Sequence, residues 1–275
     1  MQNLKDLTLI TVTGVDVEMA VNALLVSSEY CDFAAIKLLS PSKPEDLPGK
    51  IIHMNIPPID FTGYSKFMIE DLNQYVDTEF CLVIQADGFL INPWVWRDSF
   101  LEYDYIGAPW PETILAPNTK DGRFGLDKNR VGNGGFSLRS KKLLEICSGI
   151  RYEKLQCLNK SEDLVICHFL YQEMLEAGIR FPPLELANQF SVESVLDHFN
   201  QDLTSSLGFH GKQWLANAYL RELASKSKYQ KQFLSLLYKP SPQVMLNTSS
   251  NRVGRLDWCP CGSKLRYKNC HGSLS

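Results

Sequence analysis

Four places in the chain carry side chains that could do chemistry. The first is Asp87, a lone carboxylate that follows the apolar run Cys81-Leu82-Val83-Ile84 and the pair Gln85-Ala86, and precedes Gly88. A continuous apolar run of strand length suits a central strand covered on both faces, and such sheets bind ligands beyond the carboxyl ends of their strands. Asp87 therefore reads as a cation-binding carboxylate at that edge, or as an ordinary acidic turn, because Asp and Gly are turn residues. The second place is Ser161-Glu162-Asp163 at the start of a helical pattern. Ser at an N-cap and acids in a first turn suit the backbone there, yet a helix start can also project a carboxylate into a cleft. The third is His210, on a strand-to-loop exit between Gly208 and Gly211; it is sterically available as a ligand, or simply a satisfied structural histidine. The fourth is the cluster of Cys259, Cys261, Cys270 and His271 near the end of the chain.

Two further stretches bear on these. Ser65 and Lys66 fall near the start of a predicted helix, where free N–H groups favour phosphate; Lys66 reads as a diphosphate contact or as a solvated lysine. Gly132, Gly134 and Gly135 lie within four residues, just before a strand, and permit close backbone approach to a ligand.

The elements that must position these groups follow from periodicity. Strands are predicted over 7–14, 33–39 and 50–56, with a helix over 15–30 between the first two. A second helix over 64–76, with Met68, Leu72, Tyr75 and Val76 on one face, leads into the Cys81 strand. Residues 103–110 read as a short strand emptying into a loop. Residues 112–129, with Pro117, Gly122 and Gly125, read as one long irregular loop. A helix is expected over 161–177 with Gly178 as its stop, and His168 inside it reads as structural. Residues 181–193 read as irregular chain with short strand pieces, and 212–238 as helix. Pro240, Pro242 and the polar tract 247–251 make a linker. Trp94, Trp96 and Trp110 read as core residues or as flat surfaces for a sugar ring. The alternation of strand and helix implies an α/β sheet wound by crossover helices.

The chain has 275 residues, 44% hydrophobic and 21% charged, with a formal charge of -3. That is the composition of a globular protein with one sizeable core and an appendage. The charge gives no field that would recruit nucleic acid or anionic membrane. Residues 1–6 lack a basic segment followed by an apolar one, so no secretory leader is expected, and no apolar run is long enough to span a bilayer. A cytoplasmic location follows as an expectation, with any membrane role peripheral. Cys31, Cys81, Cys147, Cys157 and Cys167 are scattered among apolar neighbours and read as reduced thiols, mostly buried.

Taken in order, Gln85-Ala86-Asp87-Gly88, Tyr105-Ile106-Gly107-Ala108-Pro109-Trp110 and Val131-Gly132-Asn133-Gly134-Gly135-Phe136-Ser137-Leu138-Arg139 resemble a bacterial group of GT-A-fold, nucleotide-sugar glycosyltransferase-like proteins. The resemblance covers roughly residues 7–211. It implies a mixed, mainly parallel sheet flanked by helices. It also implies a nucleotide-sugar donor, Mn²⁺ or Mg²⁺ at the diphosphate, and a glycan, lipid-linked or protein acceptor. Asp87 matches the last residue of the family's Asp-x-Asp metal motif, and Gln85 replaces the first. With one protein charge missing, cation binding would lean more on the diphosphate. Gly134 and Gly135 match a glycine-rich loop near the donor sugar, and Glu162-Asp163 a helix-start motif whose aspartate is the base of inverting members. His210 matches a late histidine that can bind the metal. A hard divalent cation offsets charge on a leaving diphosphate without proton transfer.

Cys259-Pro260-Cys261 with Cys270-His271 resembles the SEC-C zinc motif, although Lys264 stands where its members commonly carry glycine. Three thiolates and one imidazole would close a tetrahedral Zn²⁺ shell with no open position. The module is locally basic, through Arg252, Arg255, Lys264, Arg266 and Lys268, and similar modules act as adaptors for protein partners. The expected organisation is a GT-A-like domain over 1–222, a helix and linker over 223–251, and the zinc module over 252–275. Two other readings stay open. One is a sugar-nucleotide or glycan-binding adaptor without turnover, kept alive by Gln85. The other is a sugar-phosphate nucleotidyltransferase, which the acidic stretch after the first strand disfavours.

Overall fold

The computed structural model describes residues 1–115, 123–196 and 201–238. The first strand, β1 (Gln2–Val12), leads into α1 (Val17–Ser27), whose first turn is capped by Asp16 Oδ1 accepting from the Met19 amide. Then come β2 (Cys31–Ser40), β3 (Ile52–Asn55), α2 (Phe61–Glu70) and β4 (Phe80–Ile84). Between α2 and β4 the chain makes only a 3₁₀ turn, Leu72–Tyr75, so the helix predicted over 64–76 starts earlier and breaks at Asp71. Its start is fixed by Asp60, whose Oδ1 accepts from the Gly63 amide at 2.7 Å.

Beyond β4 lie β5 (Tyr105–Ile106), β6 (Thr113–Leu115), β7 (Arg123–Gly125), β8 (Phe136–Ser140) and α3 (Lys141–Ser148). β6 and β7 pair as an antiparallel hairpin, which corrects the reading of 112–129 as irregular throughout. Three-residue strands carry too little alternation to be read from sequence. Residues 116–122, including Pro117 and Gly122, lie outside the described part.

The chain continues through α4 (Glu162–Leu164), a single π-helical turn Val165–Phe169, α5 (Tyr171–Glu176) and α6 (Leu184–Phe190). The helix predicted over 161–177 is thus interrupted, and 184–190, read as irregular, is helical. Pro183 stands at the N-cap of α6, where its missing N–H costs nothing. Two short strands, β9 (Ser191–Val192) and β10 (Gly208–Phe209), pair in parallel. Last come α7 (Ala218–Lys226) and α8 (Gln230–Tyr238), two helices where one was predicted.

The main sheet has the order β3-β2-β1-β4-β8-β5. Neighbours from β3 to β4 are parallel, and β8 runs antiparallel between β4 and β5. It is therefore the mixed, mainly parallel sheet flanked by helices that the sequence implied. Cys81, Leu82, Val83 and Ile84 are all fully buried because β4 is covered on both faces. Leu82 and Ile84 pack on one side with Leu24 of α1, Leu220 of α7 and Phe233 of α8. Cys81 and Val83 pack on the other with Phe67 and Met68 of α2 and Leu144 of α3.

Two units separate, 1–241 and 242–275. Residues 218–238, which the sequence reading divided at 222, belong to the first unit and contribute Leu220, Ala224, Phe233 and Leu236 to its core. Among the described residues, no helix is long and apolar enough to cross a membrane, and Cys31, Cys81, Cys147, Cys157 and Cys167 are free thiols. The zinc-type cluster Cys259, Cys261, Cys270 and His271 lies outside the described residues.

Candidate active site

The site forms where β4 ends. Gln85 and Gly88 close a tight turn through two backbone bonds, Gln85 N–H to Gly88 O at 2.8 Å and Gly88 N–H to Gln85 O at 3.1 Å. This turn carries Asp87 to the carboxyl edge of the sheet, as expected. His210 reaches the same place from far along the chain. The β9–β10 pairing sets Val192 beside Phe209, so the next residues, Glu193 and His210, emerge side by side. The His210 amide donates to Val192 O at 2.9 Å, and the Gly211 amide to Asp87 O at 2.7 Å. Backbone bonds therefore tie the imidazole to both Glu193 and Asp87.

The ring is oriented by three oxygens. Nδ1 lies 2.9 Å from Glu193 Oε1, and Nε2 lies 3.2 Å from Gln85 Oε1 and 3.7 Å from Asp87 Oδ1. Gln85 is held in turn by its Nε2, which donates to the Tyr64 hydroxyl at 2.9 Å. Burial alone would lower the imidazole pKa. The hydrogen bond and charge of Glu193, with the charges of Asp87 and Asp163, outweigh that and raise it to about 9.

The opposite wall is the start of α4. Asp163 accepts from the Gly134 amide at 3.0 Å and from its neighbour Leu164 at 2.8 Å. Burial, then the nearby charges of Glu162 and Glu193, raise its carboxyl to about 7, against the pull of those two amides. A carboxyl near neutrality is suited to exchanging a proton at working pH.

Glu162, expected beside Asp163 as part of the catalytic pair, turns inward. Its Oε1 meets Arg139 Nη2 at 2.9 Å, and neither side chain has appreciable exposure. Arg139 comes from β8 and also stacks on the Tyr105 ring at 5.2 Å. Desolvated charges persist only when paired in this way, so Glu162 supports the wall and does not face the cleft.

The two glycines lie where backbone and side chains crowd together. A Cβ on Gly134 would lie 1.8 Å from Glu162 Oε1, and one on Gly135 would lie 2.2 Å from His210 Nε2. They make room for the protein's own side chains. Adjacent in sequence, they bring the Asp163 wall and the His210 wall together.

Lys66 sits in the middle of α2, not at its start, and pairs with Glu153 at 3.0 Å and Glu70 at 3.9 Å. It is drawn to carboxylates on its own surface. Ser161 stands at the N-cap of α4 without capping it; its hydroxyl donates to Asn159 Oδ1 instead. His168 is buried against Phe124 and Phe169, as a structural histidine. Of Trp94, Trp96 and Trp110, Trp110 is buried and Trp94 is 62% exposed.

Asp163 and Glu193 share a cleft of about 470 Å³ with Trp110, Ile114, Asn159 and Gln213. Glu193 and Arg139 were not singled out in sequence. Arg139 alternates with Phe136 and Leu138 as an ordinary polar-face residue would, and only its burial between β4 and β5 marks it out. Glu193 leaves no mark in the sequence either, because only the pairing of two-residue strands brings it to His210.

Gln85 Oε1 and Asp87 Oδ1 lie 3.2 and 3.7 Å from His210 Nε2, and two oxygens with one imidazole nitrogen are donors of a type that a divalent cation accepts. Among the described residues no group of three or more His, Cys, Asp or Glu could hold a metal, so the third donor here is an amide oxygen.

Fold and site together define an α/β protein with a carboxylate–imidazole cluster and a second acid at the carboxyl edge of its sheet. A family model matches residues 55–210, and the chain belongs to that family, described as a protein of unknown function, DUF5672. A SEC-C motif matches residues 257–273, which include Cys259, Cys261, Cys270 and His271. Protein translocase subunit SecA from Xanthomonas campestris pv. campestris (strain B100) is 50% identical over 36 residues, 13% of this chain and 4% of SecA. SecA from Xanthomonas oryzae pv. oryzae (strain PXO99A) matches equally. The chain thus spans about 4% of the length of these curated relatives. Among solved structures, the galactosyltransferase LgtC with donor and acceptor sugar analogues is similar over 84% of this chain and 95% of its own. Its TM-score is 0.44 and its identity 12%. A glycosyltransferase involved in glycosylation of the major capsid of PBCV-1 covers 84% and 98%, with TM-score 0.40 and 12% identity.

Proposed function

We propose that the chain is a glycosyltransferase that moves a sugar from a nucleotide-diphosphate donor to an acceptor hydroxyl with inversion. The observation that carries this reading is the juxtaposition, through Gly134 and Gly135, of a near-neutral carboxyl on one wall and the Gln85–Asp87–His210 donor set on the other. Asp163 accepts the proton of the attacking hydroxyl. The donor's diphosphate lies towards Gln85, Asp87 and His210, and the acceptor occupies the cleft beside Asp163. When bound, Mn²⁺ or Mg²⁺ held by Asp87, His210 and Gln85 supplies positive charge at the leaving diphosphate. Glu162 and Arg139 hold the base's wall, and Glu193 holds the imidazole.

The C-terminal module holds Zn²⁺ through Cys259, Cys261, Cys270 and His271 and serves as a docking unit for a protein partner. With so short a segment, the metal would supply its folding energy. The support is the motif match and the ligand spacing.

The test is a screen of nucleotide sugars with Mn²⁺, read first as thermal shift and then as donor hydrolysis or transfer. A donor raises the melting temperature by mass action and is turned over by wild type. Asp163→Asn keeps the shift and loses roughly 10²–10⁴-fold in turnover, the range for removing a general base. Binding without turnover in wild type would leave a nucleotide-sugar adaptor, and no shift with any donor would sink the enzyme reading.

A further inference from the structure

The imidazole of His210 must present Nε2 to Gln85 and Asp87 if those three atoms are to act together. An imidazole has two nitrogens of similar basicity, and which one carries the proton is set by the bond the other makes. Packing does not decide this. Gly88 and Gly135 leave room for the ring and fix where it lies, since a Cβ on either would fall 2.7 Å from Cδ2 or 2.2 Å from Nε2. Neither glycine distinguishes the two tautomers. Glu193 does: its Oε1 stands 2.9 Å from Nδ1, closer than Gln85 Oε1 at 3.2 Å or Asp87 Oδ1 at 3.7 Å stands to Nε2, so a ring that carries one proton holds it on Nδ1 and frees Nε2 for a cation.

Glu193 is itself firmly placed. Its carbonyl oxygen accepts from Gln213 Nε2 and from Trp214 Nε1, both at 2.7 Å. Its backbone continues β9, whose pairing with β10 delivers His210 alongside. The two-stranded sheet and the two side-chain bonds thus fix one carboxylate against one ring nitrogen.

We infer that Glu193 is a positioning residue that sets the tautomer and direction of His210, so that Nε2 is the nitrogen offered to a divalent cation shared with Asp87 and Gln85. The cation half rests on the function proposed above; the tautomer half does not. Partners of this kind on metal-binding histidines orient the ring, and their loss weakens metal binding by about 10–100-fold.

Two measurements on the full, zinc-loaded chain separate the halves. Long-range ¹H–¹⁵N NMR, with the pH raised until the ring is neutral, reads the tautomer; His210→Gln assigns the signal. Wild type is expected to carry the proton on Nδ1, and Glu193→Ala to shift it towards Nε2. Glu193→Gln, whose amide oxygen still accepts, retains the wild-type tautomer. A wild-type ring with its proton on Nε2 overturns the inference, even if Glu193→Ala fails to fold. Mn²⁺ affinity is then read by electron paramagnetic resonance of the free ion. Glu193→Ala should weaken it by about 10–100-fold and Glu193→Gln by less. Equal affinity in wild type and Glu193→Ala overturns the positioning role while leaving the cation reading intact. Wild type binding Mn²⁺ no better than His210→Gln overturns the cation reading and that half of the inference with it, whatever the tautomer.

Discussion

The two walls of the cleft are built on different principles. The His210 wall is held largely by backbone: the closed turn 85–88, the β9–β10 pairing and the amide of Gly211 on Asp87. Its side chains are about one-fifth exposed. The Asp163 wall is held by charge, through the Arg139–Glu162 pair beneath it, with Arg139 fully buried. Backbone ladders tolerate many side chains, whereas a desolvated ion pair tolerates the loss of neither partner. Glu162 and Asp163 make the contrast sharp. They are neighbours in sequence, yet one stabilises the fold by being paired and the other is poised by burial and by the charges of Glu162 and Glu193.

The largest effect should come from breaking that pair. Arg139→Met or Glu162→Gln leaves a buried charge uncompensated, which typically costs about 3–5 kcal/mol. Urea denaturation should show the loss, and the double change Arg139→Met with Glu162→Leu should recover much of it. Substitutions at Asp87 or Gln85, on the other wall, should cost far less. If Glu162→Gln unfolds at the wild-type urea concentration, the wall is held by something else.

The same contrast explains what could be read from sequence. Residues 1–84 form consecutive parallel strands and helices whose periods are local, and β1, α1, β2, β3 and β4 were all foreseen, with boundaries shifted by a few residues. Asp87 and His210 were legible because a strand end and a glycine-flanked exit constrain where a side chain can go. Glu162 was misjudged because its partner, Arg139, lies 23 residues away on an antiparallel strand. Lys66 was misplaced because the helix start depends on Asp60, an N-cap upstream of the apolar pattern. The helices 184–190 and 218–238 were missed or merged where tertiary packing, not propensity, sets their ends. Glu193 depends on a pairing of two residues with two, which no local period reveals.

A second effect separates the walls by pH. Asp163 titrates at about 7 in the fold against an ordinary 3.8, so the folded state binds its proton more tightly than the unfolded chain. Its contribution is fully present below about pH 4 and is lost as pH rises to about 7. His210, raised from 6.5 to about 9, contributes fully below pH 6.5 and loses that contribution as pH rises through 9. Both terms make the protein less stable towards alkaline pH, in successive windows. Asp163→Asn should flatten the fall in melting temperature between pH 5 and 7, and should trim the second window because the Asp163 charge also supports His210. His210→Gln should flatten the fall between pH 7 and 9 alone. A wild-type melting temperature that rises steadily from pH 5 to 9 would contradict both assignments.

The smallest change tests whether the His210 wall is short of charge. Gln85→Asp adds a carboxylate beside Asp87 and His210 and removes the amide that donates to Tyr64. The lost bond should cost about 1 kcal/mol, the usual net worth of one hydrogen bond. The added charge, a few ångströms from any ion between these residues, should tighten Mn²⁺ about tenfold, the effect of roughly 1.4 kcal/mol at an effective dielectric well above that of a dry interior. It should also strengthen the attraction between this wall and a protonated His210. Because backbone bonds carry this wall, the substitution should alter affinity while the fold stays intact. Unchanged Mn²⁺ affinity with an intact fold would place the cation away from residue 85 and leave Asp87 and His210 as its only side-chain ligands on this edge.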